Sequence, residues 1–202
     1  DAWRRELLSP DERARHDRFL TDDARRQFLV ARGLARTVLG RYLGMEPAAL
    51  RFHKGEHGRP ALDHAVPDGG APIEFNISHT RGCVALALTA GRAVGVDVER
   101  VDRPVDFLDL AARYFAPEES AAMLALPTAA DRARRFFELW TLKEAYLKAL
   151  GAGLTIPLDR ARFEPGDAGP IRVHFRPPLD DDPERWCLGR LRASPSHLLS
   201  WA

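Results

Sequence analysis

CVALALTAGRAVGVDVE, residues 83–99, carries the clearest β signal in the chain, and its reading decides the fold class. Residues 83–89 form a short apolar run, Ala90-Gly91-Arg92 has turn composition, and residues 93–99 form a second run. The spacing predicts an antiparallel hairpin. Just upstream, Asn76-Ile77-Ser78-His79-Thr80 reads as a polar loop in which Ser78 and His79 satisfy their own backbone.

Helices flank this β region on both sides. Ser9-Pro10-Asp11-Glu12 is a capping box with proline at the first helical position. Thr21-Asp22-Asp23 starts a long amphipathic run through Phe28, Leu34, Val38 and Leu43 that stops at Gly44. Leu50 to His53 has the look of a short strand, and residues 63–72 are rich in Asp, Pro and Gly and read as an exposed loop. In the second half Pro117-Glu118-Glu119 opens a short helix, and residues 129–150 form a long one ending at Gly151-Ala152-Gly153. Strands are predicted at 161–164, 171–175, 185–191 and 197–202. Each half therefore offers a long helix and several antiparallel strands. The expected fold class is α+β, a pseudo-twofold pair of similar halves over 1–100 and 101–202, each a long helix packed on a small antiparallel sheet.

Composition narrows the function classes. The 202 residues suit one compact unit with a substantial core, at 45% apolar and 29% charged. No run of about 18 apolar residues is present, which argues against a membrane partner. Two cysteines, far apart and without CxxC spacing, exclude a disulfide framework and fit a reducing cytoplasm. The chain opens on Asp1 without a charged-then-apolar leader. Thirty basic residues divide into 27 arginines and three lysines, Lys54, Lys143 and Lys148. Residues 13–41 hold eight arginines against three acids, which suits either a solvated helix face or an anion-binding surface. The net charge of +1 argues against a nucleic-acid partner.

Several residues carry candidate chemistry. Asp97 and Glu99 sit at i and i+2 of a predicted strand and share a face, while Val96 and Val98 point to the core. Two such carboxylates repel unless a cation lies between them; either a divalent metal or an arginine pairing with Glu99 would answer this. On the long helix, Phe136, Leu139, Trp140, Tyr146, Leu147 and Leu150 form an apolar stripe with Lys143 inside it, a costly place for an ammonium unless it reaches an anion. Glu144 and Lys148 lie at the stripe's edge, at i and i+4, and form either an ordinary surface pair or an acid and a cation for phosphate chemistry. Lys54, His57, Gly58 and Arg59 occupy a polar, glycine-containing stretch. There is no phosphate-binding GxxxxGK[ST] loop, no GxGxxG and no GxSxG elbow.

Taken together, Gly58-Arg59-Pro60, Phe75-Asn76-Ile77-Ser78-His79, Gly95-Val96-Asp97-Val98-Glu99, Trp140-Thr141-Leu142-Lys143-Glu144-Ala145-Tyr146-Leu147-Lys148 and Gly151-Ala152-Gly153-Leu154 occur in an order and spacing that resembles the 4′-phosphopantetheinyl transferases of the surfactin-synthetase type. The resemblance covers residues 9–157; residues 158–202 resemble the family only in strand pattern. It implies two similar α+β halves with coenzyme A and Mg²⁺ (or Mn²⁺) between them. It implies transfer of phosphopantetheine from coenzyme A to a serine of an apo acyl or peptidyl carrier protein, releasing 3′,5′-ADP. By motif position Asp97, Glu99 and Glu144 would be metal ligands, and Glu144 also the base or water-orienting group. Lys148 would neutralise the pyrophosphate. Arg32, Lys54, His57, Gly58, Arg59, Asn76, Ser78 and His79 would line the coenzyme A site, with Lys143 either touching phosphate or positioning the helix. A monomeric cytoplasmic enzyme is expected. The competing readings are a Mg²⁺-dependent phosphohydrolase acting on a diphosphate ester and an arginine-rich nucleic-acid binder.

Overall fold

In the computed structural model, residues 2–55, 60–63, 69–103, 106–151, 153–166 and 169–202 are described. The elements in order are α1 (Ala2–Leu7), α2 (Pro10–Asp17), α3 (Asp22–Leu43), β1 (Phe52–Lys54), β2 (Pro60–Leu62), β3 (Ile73–Thr80), β4 (Cys83–Ala90) and β5 (Val96–Arg100), then α4 (Phe107–Tyr114), α5 (Pro117–Leu124), α6 (Ala129–Leu150), β6 (Ala161–Glu164), β7 (Arg172–Phe175), β8 (Gly189–Ser194) and β9 (His197–Trp201). No helix among them is long and apolar enough to cross a membrane. The chain divides into two units, Asp1–Ala93 and Val94–Ala202.

In the first unit the helix ends fall where capping chemistry puts them. The Ser9 hydroxyl accepts the Glu12 amide while Glu12 Oε2 accepts the Ser9 amide, and Thr21 Oγ1 accepts the Ala24 amide at the start of α3. Gly44 ends α3 in the left-handed region, at φ 64°, where a side chain would be strained. Ala35, Leu39 and Leu43 on α3 pack with Leu50 and Phe75 into a small core, joined by Ile73, Ile77, Leu86 and Leu88 from the strands.

The sheet pairing differs from the hairpin expected over 83–99. β4 pairs backwards with β3 through the turn at Arg81-Gly82, in the register Ile73↔Ala90 to Thr80↔Cys83. The segment expected as a polar loop, Asn76–Thr80, is thus strand, because Phe75 and Ile77 alternate with Asn76 and Ser78 and supply a buried face. β5 leaves the first unit altogether. It pairs antiparallel with β9, Asp97 opposite Ser200, in the order β5-β9-β8. That pairing moves the division between units to Ala93/Val94 rather than residue 100.

The second unit is built around α6. Eleven of its 22 residues are buried, so it is wrapped on several sides rather than along one stripe, and Leu150, assigned to the stripe, is 40% exposed. Phe136 stacks between Phe115 and Trp140, and Tyr146 meets Phe163, Phe175 and Trp186. Removing any one of these large side chains from water is worth about 1.5–3 kcal/mol. Each unit thus lays a 22-residue helix on small antiparallel sheets, the α+β class expected.

Candidate active site

The second unit brings a strand and a helix together at one place. Val96 and Val98 are buried, which turns Asp97 and Glu99 to the opposite face of β5. α6 comes close to the start of this strand because residue 95 is glycine. A Cβ there would overlap the Ala145 carbonyl oxygen and press on the Ala149 amide. Gly95 also exchanges two backbone hydrogen bonds with Ala202, at 2.9 and 3.0 Å, which fixes β5 against the end of β9. Two residues before Ala202, Ser200 on β9 is hydrogen-bonded to the Thr141 hydroxyl of α6 at 2.7 Å. The register of α6 is thereby tied to the strand pair that carries Asp97.

On this scaffold Lys148 Nζ donates to Asp97 Oδ1 at 2.5 Å, with Asp97 only 4% exposed. Glu144 lies one turn before Lys148 and within electrostatic reach of both strand carboxylates. Burial, then Asp97, and last Glu99 push the Glu144 carboxyl above its ordinary value, with Lys148 opposing. Glu99 is pushed up by burial and then by Asp97, against Arg103 and Lys148. Asp97 thus disfavours the charge of both Glu99 and Glu144. Of the two answers open to Glu99 from sequence, the structure contains an arginine: Arg103 Nη2 donates to Glu99 Oε1 at 3.1 Å.

In kind, this oxygen-only donor set fits a hard divalent cation such as Mg²⁺. The donors are not gathered as they stand. Among the described residues no three His, Cys, Asp or Glu side chains are close enough to hold a metal ion.

Lys143 has a different place from the one a phosphate contact requires. It is fully buried, paired with Glu119 Oε2 at 2.8 Å, and donates to the Leu158 and Ala161 carbonyls at 2.9 and 2.6 Å. The rings of Phe115 and Phe163 lie over its ammonium at 5.5 and 5.4 Å. These three partners match its three ammonium hydrogens, an arrangement suited to the helix-positioning alternative. Glu119, which sequence reading treated only as part of a helix start, is the anion. Its carboxylate also accepts the Ala116 and Phe163 amides at 2.7 and 2.6 Å. The signal for it was the lysine itself, since an ammonium inside an apolar stripe requires a buried acid.

The first unit contains the remaining candidates. Asn76 and Ser78 are buried on one face of β3, and His79, next in the strand, is exposed on the other. Arg32 on α3 lies between the Phe28 and Phe52 rings, with Nε 3.6 Å from Glu12. Its Nη1 is buried and makes no hydrogen bond among the described residues. Burial first, and the neighbouring Arg15 and Arg36, pull its pKa down against Glu12. Arg36 takes the other Glu12 oxygen at 2.6 Å and ties α3 to the Pro47 and Leu50 carbonyls. Lys54 ends β1 opposite Pro60. Its side chain, and His57, Gly58 and Arg59, lie outside the described residues.

Known proteins resemble this chain along its length. The family description "4′-phosphopantetheinyl transferase superfamily" matches residues 93–200, and "4′-phosphopantetheinyl transferase, N-terminal" matches residues 2–90. The 4′-phosphopantetheinyl transferase HetI of Nostoc is 39% identical over 73% of this chain and 61% of its own length. A phosphopantetheinyl transferase of Thraustochytrium is 35% identical over 81% of this chain and 60% of its own. The putative 4′-phosphopantetheinyl transferase slr0495 of Synechocystis is 31% identical over 96% and 85%. The chain thus spans about three fifths of the length of the first two relatives.

Proposed function

The chain belongs to the 4′-phosphopantetheinyl transferase superfamily, and we propose that it moves 4′-phosphopantetheine from coenzyme A to a serine hydroxyl of an apo carrier protein, as a monomer in the cytoplasm. The observation that carries this reading is the convergence of Asp97 and Glu99 with Glu144 and Lys148, two elements meeting through Gly95. The whole group belongs to one unit of one chain, which supports a monomer. Both cysteines are free thiols, which suits a reducing compartment.

In the proposed reaction the serine oxygen attacks the phosphorus that bears pantetheine. The bond from that phosphorus to the bridging oxygen breaks, and 3′,5′-ADP leaves with the electron pair. Glu144 accepts the serine proton. In the metal-free chain, burial and two neighbouring carboxylates raise its affinity for a proton. Lys148 compensates charge growing on the pyrophosphate oxygens, a contribution realised most as the leaving group departs. Asp97, Glu99 and Glu144 would hold Mg²⁺ or Mn²⁺, which supplies Lewis-acid neutralisation of the pyrophosphate when bound. In the first unit, the buried and unsatisfied Nη1 of Arg32 supports an anion there, as the adenosine 3′-phosphate would provide; Asn76, Ser78 and His79 join this site on motif position. Lys54, His57, Gly58 and Arg59 belong to the same proposal on motif position.

Incubation with coenzyme A, Mg²⁺ and a panel of apo carrier proteins, read by intact mass, tests the reaction. One phosphopantetheine should appear on at least one carrier. Phosphopantetheine released to water with every carrier unmodified would favour the phosphohydrolase reading and sink this one.

A further inference from the structure

Arg103 lies outside every motif that singled out the site, yet it is the side chain hydrogen-bonded to Glu99. Its guanidinium sits 5.7 Å from the ring of Phe137, a buried residue of α6, so it is seated against the helix while it reaches back to the strand. Arg100, three residues earlier, is engaged elsewhere, with two bonds to Asp102 at 2.5 and 2.9 Å. Arg100, next to Glu99 on the strand and directed to its other face, meets Glu99 through its backbone amide and not through its guanidinium.

Resting on the metal reading above, we propose that Arg103 is an internal cation that occupies Glu99 and must yield it when a divalent ion binds. Charge counting supports the exchange. Asp97, Glu99 and Glu144 carry three negative charges against the positive charges of Lys148 and Arg103, so the resting cluster sits at about minus one. A divalent ion added with Arg103 in place would leave it at plus one, whereas the ion with Arg103 displaced leaves it neutral. Two of the three candidate donors are thus engaged by cations of the chain itself: Lys148 holds Asp97 and Arg103 holds Glu99. The pair can be given up. Arg103 is 40% exposed, and ion pairs of that kind hold their partner by a factor of about two to five. Arg103 acts here through Glu99 and is a positioning residue.

The test is Mn²⁺ titrated into the full chain and followed by the electron paramagnetic resonance of the free ion. Arg103→Gln and Arg100→Gln lower the net charge equally, so their difference cancels the net charge and leaves what depends on the place of Arg103. Arg103→Gln should bind Mn²⁺ about two- to fivefold more tightly than Arg100→Gln. Equal affinities in the two variants, or no Mn²⁺ bound by either, overturn the proposal. Asp97→Asn added to Arg103→Gln separates this failure from failure of the metal reading. A gain that survives Asp97→Asn places the ion elsewhere and sinks that reading too, while equal affinities that Asp97→Asn abolishes sink the Arg103 role alone.

Discussion

Lys143→Met is the substitution that most sharply separates a structural ammonium from a phosphate-binding one. Methionine retains the length and apolar stem but removes the charge, leaving Glu119 ionised inside the protein with two amide donors, those of Ala116 and Phe163, and no counter-charge. The Leu158 and Ala161 carbonyls lose their donor as well. Removing one member of a buried pair costs about 3–5 kcal/mol. The two amides still solvate Glu119, and its pKa, already raised by burial, lets it take up a proton, which places the expected loss near the lower end, about 3 kcal/mol. Glu119→Ala should cost more, because it strands the ammonium and both amides together. Urea unfolding at 25 °C, read by the fluorescence of Trp140 and Trp186, gives the stability; steady-state kinetics on the folded protein gives KM for coenzyme A. The expected pattern is a large stability loss with KM for coenzyme A nearly unchanged. A stability within about 0.5 kcal/mol of the unaltered chain, joined to a KM raised tenfold or more, would refute the reasoning and return Lys143 to the phosphate.

Two other outcomes follow from the geometry. Gly95→Ala should cost about 3 kcal/mol and most of the proposed transferase activity, since its Cβ must push α6 off β5; thermal melting and the mass assay read both, and a variant of normal stability would show that the helix can shift at little cost. Glu144→Gln should change the pH dependence of stability in the metal-free chain. The folded pKa of Glu144 lies above its ordinary value of 4.5, so the native state binds more protons than the unfolded state between the two values. Stability therefore falls as pH rises through that window. The glutamine variant lacks this slope, so its Tm should gain on the unaltered chain from pH 4.5 upward, and parallel curves would contradict the shift.

Much of this was legible in the sequence where a local chemical device sets an element. Thr21, Gly44 and Gly151 cap the two long helices, and α3 begins and both helices end where those residues place them. The alternation of valines with Asp97 and Glu99 likewise gave the carboxylate face correctly, because strand period is a property of the chain itself. Pairing was not legible. Adjacent β runs suggest a hairpin, but β5 finds β9 about a hundred residues on, and no local pattern encodes a distant partner. Asn76–Thr80 was obscured by its polarity, since burial of Asn76 and Ser78 comes from tertiary structure. α4 was missed because Asp106 makes no side-chain capping bond and only Ala111 is buried. Glu119 and Arg103 belong to no motif; each is recognisable only when the group it faces is known.

The pairing of β5 with β9 also bears on the order of events during synthesis. β3 and β4 are joined by a two-residue turn and can close as soon as both leave the ribosome. Asp97, by contrast, emerges well before Ser200, its partner across the ladder. At about 5–20 residues per second, that interval is roughly 5–20 s. Through that time the strand that carries Asp97 and Glu99 lacks its neighbour, and Gly95 lacks the Ala202 bonds that hold it to the end of β9. The carboxylate face therefore takes its final geometry only after residues 197–202 have left the ribosome.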